Sequence, residues 1–238
     1  MKILKSLKKS NRGKVRIINE DSIYSDDNKG LWIVADGMGG HAAGEIASQL
    51  AVNTVSQALN NGSTLESSIL DAHLMILKKA EEDKDIQGMG TTIVSAQKYS
   101  DGFKVSWVGD SRAYLFNGTL NQLTTDHSFV QDLVHQNIIA PEDAGNHKYS
   151  HIITRSLGME EGPCEVDSLI IYPDIPGCLI LLSDGISDFL STETLEILLN
   201  KGKTITEMSE NIYEEIFKTE ATDNFSYIII EFSIPSPK

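Results

Sequence analysis

The chain has 238 residues, of which 40% are hydrophobic and 23% charged, as is usual for a globular protein. Its net charge of −14 argues against general nucleic-acid binding, because such binding needs a basic surface that releases counterions. No apolar run reaches the roughly 18 residues that span a bilayer, so no stable membrane insertion is expected.

The first fourteen residues, MKILKSLKKSNRGK, are basic but lack the apolar core of a signal peptide. They could touch an anionic membrane, although a solvated segment that leads into the first strand is preferred. Two strands are predicted over 16–25 and 30–37, joined by a turn. Apolar residues at three- and four-residue spacing then predict helices at 43–60 and 65–83.

The second half of the chain is predicted to alternate hairpins with helices. Strands are predicted at 91–97, 103–110, 112–116, 120–123, 166–172, 178–183 and from Phe225, with helices at 192–200 and 205–218. Hairpins indicate antiparallel sheets, and two sets of helices need two sheet faces to cover. The predicted fold is therefore α+β, a four-layer α/β/β/α sandwich of two mainly antiparallel sheets flanked by helices. One domain over 1–238 is expected, with an irregular flap at about 128–160.

Four aspartates lie where an apolar, strand-like run meets a turn: Asp36, Asp110, Asp184 and Asp223. Strand ends hold carboxylates rigidly at the rim of a sheet, so all four could converge. Clustered carboxylates repel one another unless a cation lies among them, and oxygen ligands without nearby Cys or His favour Mg²⁺ or Mn²⁺. The pattern predicts a metal-dependent hydrolase, although each aspartate alone could also cap a strand or a turn.

The glycine-rich stretch GMGGHAAG suggests a phosphate-binding loop, but it lacks both nucleotide-binding patterns and follows an acidic residue. Nucleotide binding is therefore excluded here. Neither Cys164 nor Cys178 has a CxxC spacing, so both are expected to be reduced and structural, and the expected location is the cytoplasm.

Eight motifs in order resemble the protein phosphatase 2C family of metal-dependent serine/threonine phosphatases, in its short bacterial single-domain form. They are RIINEDS (16–22), ADGMGGHAAGEIAS (35–48), GTTIV (90–94), WVGDSRAYLF (107–116), DHSFVQDLV (126–134), ITRSLG (153–158), LLSDGISD (181–188) and DN (223–224). Each motif alone is weak, but eight in register over about 200 residues are specific. The flap departs from the family pattern at 147–152, which leaves substrate preference open.

The resemblance implies a centre with two Mn²⁺ or Mg²⁺ ions and a third, weaker ion. Asp36 would bridge the two ions, with the carbonyl of Gly37 as a further ligand. Asp184 and Asp223 would complete the first site, and Asp110 would bind the third ion together with Asp184. A water between two cations loses a proton more easily and becomes the nucleophile.

The resemblance also implies roles for residues that do not bind metal. Arg16 would bind the substrate phosphate, because a guanidinium fork matches two phosphate oxygens. Arg16 and Glu20 point the same way if both lie on one strand. Glu20 and Asp21 would orient metal-bound waters, with a surface ion pair as the alternative. His41 would protonate the leaving oxygen, or else be structural. His127, His147 and His151 are expected on the surface of the flap.

The predicted activity is hydrolysis of phosphoserine and phosphothreonine in proteins, opposing a cognate serine/threonine kinase, by a protein expected to be monomeric. A narrower alternative keeps the same site for one regulatory phosphoprotein in a sigma-factor or secretion switch. A third interpretation is a pseudophosphatase that binds phosphoproteins without turnover. All four aspartates are present, which argues against that interpretation.

Overall fold

The computed structural model describes residues 1–39, 43–145, 147–159 and 164–234. The strands are β1 (Lys2–Asn11), β2 (Asp21–Asp26), β3 (Leu31–Met38), β4 (Gly90–Thr91), β5 (Ile93–Tyr99), β6 (Gly102–Val108), β7 (Arg112–Phe116), β8 (Leu120–Gln122), β9 (Asp167–Ile171), β10 (Gly177–Leu182) and β11 (Phe225–Ser233). The helices are α1 (Ala43–Asn60), α2 (Leu65–Glu82), α3 (Phe129–His135), α4 (Pro141–Ala144), α5 (Asp184–Ser187), α6 (Thr192–Lys201) and α7 (Ile205–Ile216).

The strands form antiparallel sheets that pack face to face. One sheet has the strand order β1–β11–β10–β7–β8, and the other has the order β2–β3–β5–β6–β9, with β4 paired to β3. Helices α1 and α2 cover the second sheet, while α6 and α7 cover the first. The predicted four-layer α/β/β/α arrangement is confirmed.

Three apolar clusters separate these layers. One lies between α1, α2 and the second sheet, one between α6, α7 and the first sheet, and one between the two sheets. Strand β3 contributes to two of them, because Ile33 faces the helices while Trp32 faces the other sheet. Edge-to-face contacts join Trp32 to Phe103 and Phe103 to Phe232, with ring centroids 6.1 and 5.4 Å apart. These packed sheets hold the strand ends in fixed positions.

The N-terminal segment is a strand, which corrects the prediction of a solvated lead-in. Strand β1 pairs with β11 over most of its length and forms an edge of the first sheet. Leu7 packs on the helix-side cluster and Ile3 on the cluster between the sheets, while Lys5 and Lys8 are exposed. Lysines are common on edge strands because they prevent further strand pairing. The basic composition of this segment therefore did not indicate that it forms a strand.

Residues 16–20 do not form the strand predicted for them, since β2 begins at Asp21. The side chain of Asn224 binds the carbonyl oxygen of Ile18 and the N–H of Glu20, at 3.0 and 2.8 Å. The Asn224 side chain thus occupies the backbone carbonyl and N–H groups that would otherwise pair with a neighbouring strand. This segment therefore remains a loop.

The remaining predictions about membranes and cysteines concern single features. Among the helices that the structure describes, none combines the length and apolar character needed to cross a membrane. Cys164 and Cys178 are both free thiols, and Cys178 is buried on β10.

Candidate metal centre

The predicted carboxylates meet at one end of the sandwich. Asp36 lies near the end of β3 and Asp110 follows β6, while Asp184 follows β10 and Asp223 precedes β11. All of them line a cavity of about 250 Å³. Its other lining residues are Arg16, Glu20, Gly37, Met38, Gly39, Thr92, His151 and Ile153. The structure thus brings together side chains from both sheets that lie far apart in the sequence.

Backbone hydrogen bonds fix the position of Asp36. Its carbonyl oxygen accepts from the N–H of Thr92 and from Oγ1 of Thr91, both at 2.8 Å. Oγ1 of Thr92 in turn accepts from the N–H of Asp36 at 3.2 Å and lies 2.8 Å from Oγ of Ser111. The ends of β3 and β6 are therefore joined through the hydroxyl of Thr92.

Ser183, which links the end of β10 to Asp184, is hydrogen-bonded to the start of β2. Oγ of Ser183 donates to Oδ2 of Asp21 at 2.9 Å, and the N–H of Ser226 donates to Oγ of Ser183 at 2.9 Å. Asp21 pairs in register with Asp36 across β2 and β3, so its carboxylate lies behind the cavity rather than in its lining. The role predicted for Asp21, which is to orient metal-bound water, stays a prediction.

The carboxylates raise one another's pKa. Burial and the negative charge of Asp184 raise the pKa of Asp36 well above its usual range. Burial, with Asp184 again adding to the effect, raises the pKa of Asp110 to about 8, and burial raises the pKa of Asp21 to about 7. Burial and mutual repulsion make the charged forms of these carboxylates unfavourable. A cation bound among them would remove that repulsion, so the cavity attracts cations strongly.

Arg16 reaches the cavity from the loop before β2 and meets Asp223 there. Its Nη2 lies 2.7 Å from Oδ2 of Asp223, and the hydrogen bond raises the pKa of Arg16. Both side chains are about half exposed, so the guanidinium remains accessible to a ligand. Arg16 and Glu20 line the same cavity as predicted, although a loop rather than a strand brings them there.

Gly37 near the end of β3 and Gly44 at the start of α1 allow the backbone to pack tightly behind the site. A Cβ on Gly37 would collide with the carbonyl groups of Gly44 and Glu20, and a Cβ on Gly44 would collide with Oε1 of Glu20. That buried oxygen has no hydrogen-bond partner among the described residues. Gly37 is thus required by backbone packing, whether or not its carbonyl also binds an ion.

Asn224 belongs to the DN motif at 223–224, but its role was not predicted from the sequence. It is 4% exposed. Its Nδ2 donates to the carbonyl oxygens of Arg12 and Ile18, both at 3.0 Å, and its Oδ1 accepts from the N–H of Glu20 at 2.8 Å. Asn224 thereby sets the path of the loop that presents Arg16. In the sequence the Asp-Asn motif indicated only a turn, because the hydrogen-bond partners of Asn224 lie about 200 residues away in the chain.

The histidines differ in part from their predicted positions. His41 lies outside the described residues, so its predicted role as proton donor stays a prediction. His151 lines the cavity. His127 is 6% exposed and stacks on Trp107, which corrects the prediction that it lies on the flap surface. Its burial depends on Trp107 of β6 and on Asp167 at the start of β9, which the local sequence could not indicate.

The donor set fits hard divalent ions that retain water. Within the described ranges, no three His, Cys, Asp or Glu side chains are arranged to hold one ion by themselves. Mg²⁺ and similar ions keep several waters and take one or two carboxylates, so a partial protein coordination is consistent with them. Oδ1 of Asp21, which has no hydrogen-bond partner in the part of the chain that the structure describes, and the carboxylates of the cavity supply the negative charge that such hydrated ions need.

A second, larger cavity of about 630 Å³ adjoins the first and shares Asp110 and Asp184 with it. One wall is formed by flap residues from Ser128 to Ser150, and the other by residues 187–193. Arg112 and Asp126 lie between them as an ion pair, with Nη2 2.6 Å from Oδ2. The carboxylate-lined cavity therefore adjoins a larger groove whose volume is enough for more than one amino-acid side chain.

Comparisons with known proteins agree with this architecture. A family model described as Protein phosphatase 2C matches residues 11–222. The serine/threonine phosphatase Stp of Listeria welshimeri is 35% identical over 94% of each chain. The crystal structure of the Mycobacterium tuberculosis serine/threonine phosphatase PstP/Ppp has a TM-score of 0.89 at 32% identity, covering 98% of this chain and 100% of that one. A structure of the PstP catalytic domain in complex with two manganese ions has a TM-score of 0.83 at 32% identity, covering 96% and 98%.

The sandwich and the carboxylate-lined cavity define a metal-dependent protein serine/threonine phosphatase, and the relatives share that activity by name. The chain belongs to the protein phosphatase 2C family. The resemblance, the fold and the enzyme class predicted from the sequence are thereby confirmed.

Proposed function

We propose that the cavity between the two sheets is the active centre of this phosphatase and that its residues have the roles predicted from the sequence. The observation that carries the proposal is the meeting of Asp36, Asp110, Asp184 and Asp223 with Arg16 in one cavity. Asp36, Asp184 and Asp223, with the Gly37 carbonyl, would hold two divalent ions, and Asp110 with Asp184 a third. The manganese ions in the PstP structure support Mn²⁺ as the bound ion. The oxygen donors of the cavity are equally suited to Mg²⁺.

When bound, the ions supply positive charge against the phosphoryl oxygens and make a water more acidic. Arg16 lines the cavity and is half exposed, so its guanidinium would be able to bind two phosphate oxygens. Glu20, which lines the cavity, and Asp21, which lies behind it, would orient metal-bound water. His41 would donate the proton that the departing serine or threonine oxygen needs.

The adjoining groove supports a protein rather than a small-molecule substrate. A phosphorylated side chain that reaches the centre leaves its peptide backbone outside, and the groove offers about 630 Å³ for neighbouring residues. The flap forms one wall, so its unusual sequence at 147–152 is well placed to affect substrate choice. The cognate kinase, the monomeric state, the cytoplasmic location and a single domain over 1–238 stay predictions from the sequence.

Hydrolysis of a phosphothreonine peptide tests the proposal. Metal-stripped protein should be inactive, added Mn²⁺ should restore turnover, and Asp184→Asn should remove it at every Mn²⁺ concentration. Asp174→Asn is a matched control on the exposed surface before β10 and should behave as the unmodified protein. Mn²⁺ binding without turnover in the unmodified protein would support the pseudophosphatase interpretation instead.

A further inference from the structure

Asp110, the residue proposed for the weakest ion, is carried by a tight turn. Gly109 before it has φ +108, a left-handed conformation that favours glycine. A Cβ at Gly109 would lie 2.6 Å from Cβ of Thr92, so this position has no room for a side chain. The turn therefore depends on groups from elsewhere in the chain to hold Asp110 in one orientation.

His127 provides two such contacts, one on each side of the Gly109 peptide. Its N–H donates to the carbonyl oxygen of Gly109 at 3.0 Å, and its Nδ1 accepts from the N–H of Gly109 at 3.1 Å. The ring packs on Trp107 at a centroid distance of 6.3 Å and an interplanar angle of 24°. Burial lowers the pKa of His127, which keeps the ring neutral and Nδ1 free to accept.

The residue before His127 holds the other side of the turn. Nε of Arg112 donates to both carboxylate oxygens of Asp126 at 3.0 Å, and Nη2 donates to Oδ2 at 2.6 Å. Such bidentate pairs fix geometry well. His127 and Asp126 together hold Gly109, directly before Asp110, and Arg112, two residues after it.

The same segment also holds the end of the flap. The carbonyl oxygen of His127 accepts from the N–H of Thr154 at 2.8 Å, and the N–H of Phe129 donates to the carbonyl oxygen of Ile152 at 2.8 Å. Ile153, which lies between these two, lines the metal cavity and forms a bridge with Ser128. His127 is thus bonded to the turn that carries Asp110 through its ring and its backbone, and to the flap through its backbone.

We propose that His127 is a positioning residue that holds the Gly109–Asp110 turn in place for ion binding and joins this turn to the returning end of the flap. The inference rests on the proposed function, because it takes Asp110 as a ligand. A histidine that merely fills the core would act through its ring volume. A positioning residue acts through the acceptor at Nδ1, and these two roles predict different responses to substitution.

Two substitutions at the same position separate these roles. His127→Phe keeps a stacked ring on Trp107 but removes the acceptor. His127→Asn loses the ring but places Oδ1 where Nδ1 lies, so the bond from the Gly109 N–H is retained. Calorimetric titration with Mn²⁺ should show the weakest binding step weakened about tenfold in His127→Phe and changed by less than about threefold in His127→Asn. Amide hydrogen exchange at Gly109 should be faster only in His127→Phe.

The opposite order of effects, or equal effects of both substitutions, would overturn the proposal in favour of ring packing. If His127→Phe does not fold, hydrogen exchange of the unmodified protein decides. Added Mn²⁺ should then slow exchange at both Gly109 and Thr154, and unchanged exchange at either would overturn the proposal. Failure of the proposed function is seen separately, as absent Mn²⁺-dependent turnover in the unmodified protein.

Discussion

Arg16 Nη2 lies 2.7 Å from Asp223 Oδ2, so the residue proposed to bind the substrate phosphate contacts a residue proposed to bind metal. The pKa of Arg16 is raised by this bond and further by the charges of Glu20 and Asp36. An ion bound to Asp223 would neutralise its charge and weaken its attraction for the guanidinium. Metal binding would thereby free Arg16 for phosphate.

Arg16→Gln should therefore affect phosphate and metal in opposite directions. Loss of the guanidinium should raise the inhibition constant of inorganic phosphate and the KM for a phosphopeptide by about tenfold or more, because a bidentate charged contact is lost. Mn²⁺ affinity should stay the same or rise by at most a few-fold, since an exposed ion pair is worth about 1 kcal/mol or less.

Inhibition kinetics and calorimetry measure these two effects separately. Arg12→Gln is the matched control, because Arg12 is also exposed on this loop but does not line the cavity. Its phosphate inhibition should equal that of the unmodified protein. A parallel loss of Mn²⁺ and phosphate affinity in Arg16→Gln would contradict the expectation and indicate that the loop itself had moved.

Asp184→Asn should stabilise the metal-free protein while it abolishes turnover. Asp184 raises the pKa of Asp36 by its charge, and burial raises the pKa of Asp184 itself, so its charge is unfavourable without a cation. An amide of the same shape removes that repulsion. Thermal unfolding in EDTA should give a higher midpoint for the variant.

Addition of Mn²⁺ should reverse this order, because only the unmodified protein gains stability from tight ion binding. A similar rise of both midpoints with Mn²⁺ would show that Asp184 is not a ligand. The surface variant Asp174→Asn should follow the unmodified protein in both conditions.

The sequence predicted the fold class and the location of the carboxylates well, for physical reasons. Strands such as LWIVA are buried on both faces and read as continuous apolar runs, and aspartates directly after such strands have few positions available. The layer arrangement followed because hairpins need antiparallel sheets and amphipathic helices need a face to cover. These features are local in the sequence.

What the sequence did not predict depends on partners that are distant in the chain. β1 is a strand because β11 pairs with it, and 16–20 is a loop because Asn224 binds it. His127 is buried because Trp107 and Gly109 surround it. In each case packing with distant residues, rather than the propensity of the local segment, decided the structure.

Asn224→Asp should make the loop that carries Arg16 less ordered while the rest of the fold stays intact. The aspartate keeps the acceptor for the N–H of Glu20 but loses both bonds that Nδ2 donates to Arg12 and Ile18. Two partly buried carbonyl groups lose a partner, which costs at most about 1–3 kcal/mol each. We expect faster hydrogen exchange in residues 12–20 and at least a tenfold lower kcat/KM for a phosphopeptide.

Asn200→Asp makes the same chemical change on an exposed helix, where Nδ2 donates to two carbonyl groups far from the cavity. That control should leave kcat/KM unchanged. Unaltered exchange of residues 12–20 in Asn224→Asp would contradict the role assigned to Asn224.

His73 should make the metal-free protein sensitive to acid. It is buried on α2, its Nδ1 accepts from the N–H of Gly158 at 3.2 Å, and burial lowers its pKa below the ordinary value of 6.5. The unfolded chain therefore binds a proton first as pH falls. The contribution of neutral His73 is fully present above pH about 6.5 and is lost progressively below it, with a slope of at most about 1.4 kcal/mol per pH unit.

Urea unfolding in EDTA at several pH values between 7.5 and 5 measures this slope. His73→Asn keeps an acceptor near the position of Nδ1 but cannot be protonated, so its free energy of unfolding should fall less steeply than that of the unmodified protein below pH 6.5. His135→Asn changes an exposed histidine at the end of α3 and should follow the unmodified protein. Equal slopes for all three proteins would show that the pKa of His73 does not differ between the folded and the unfolded chain, and would contradict the prediction.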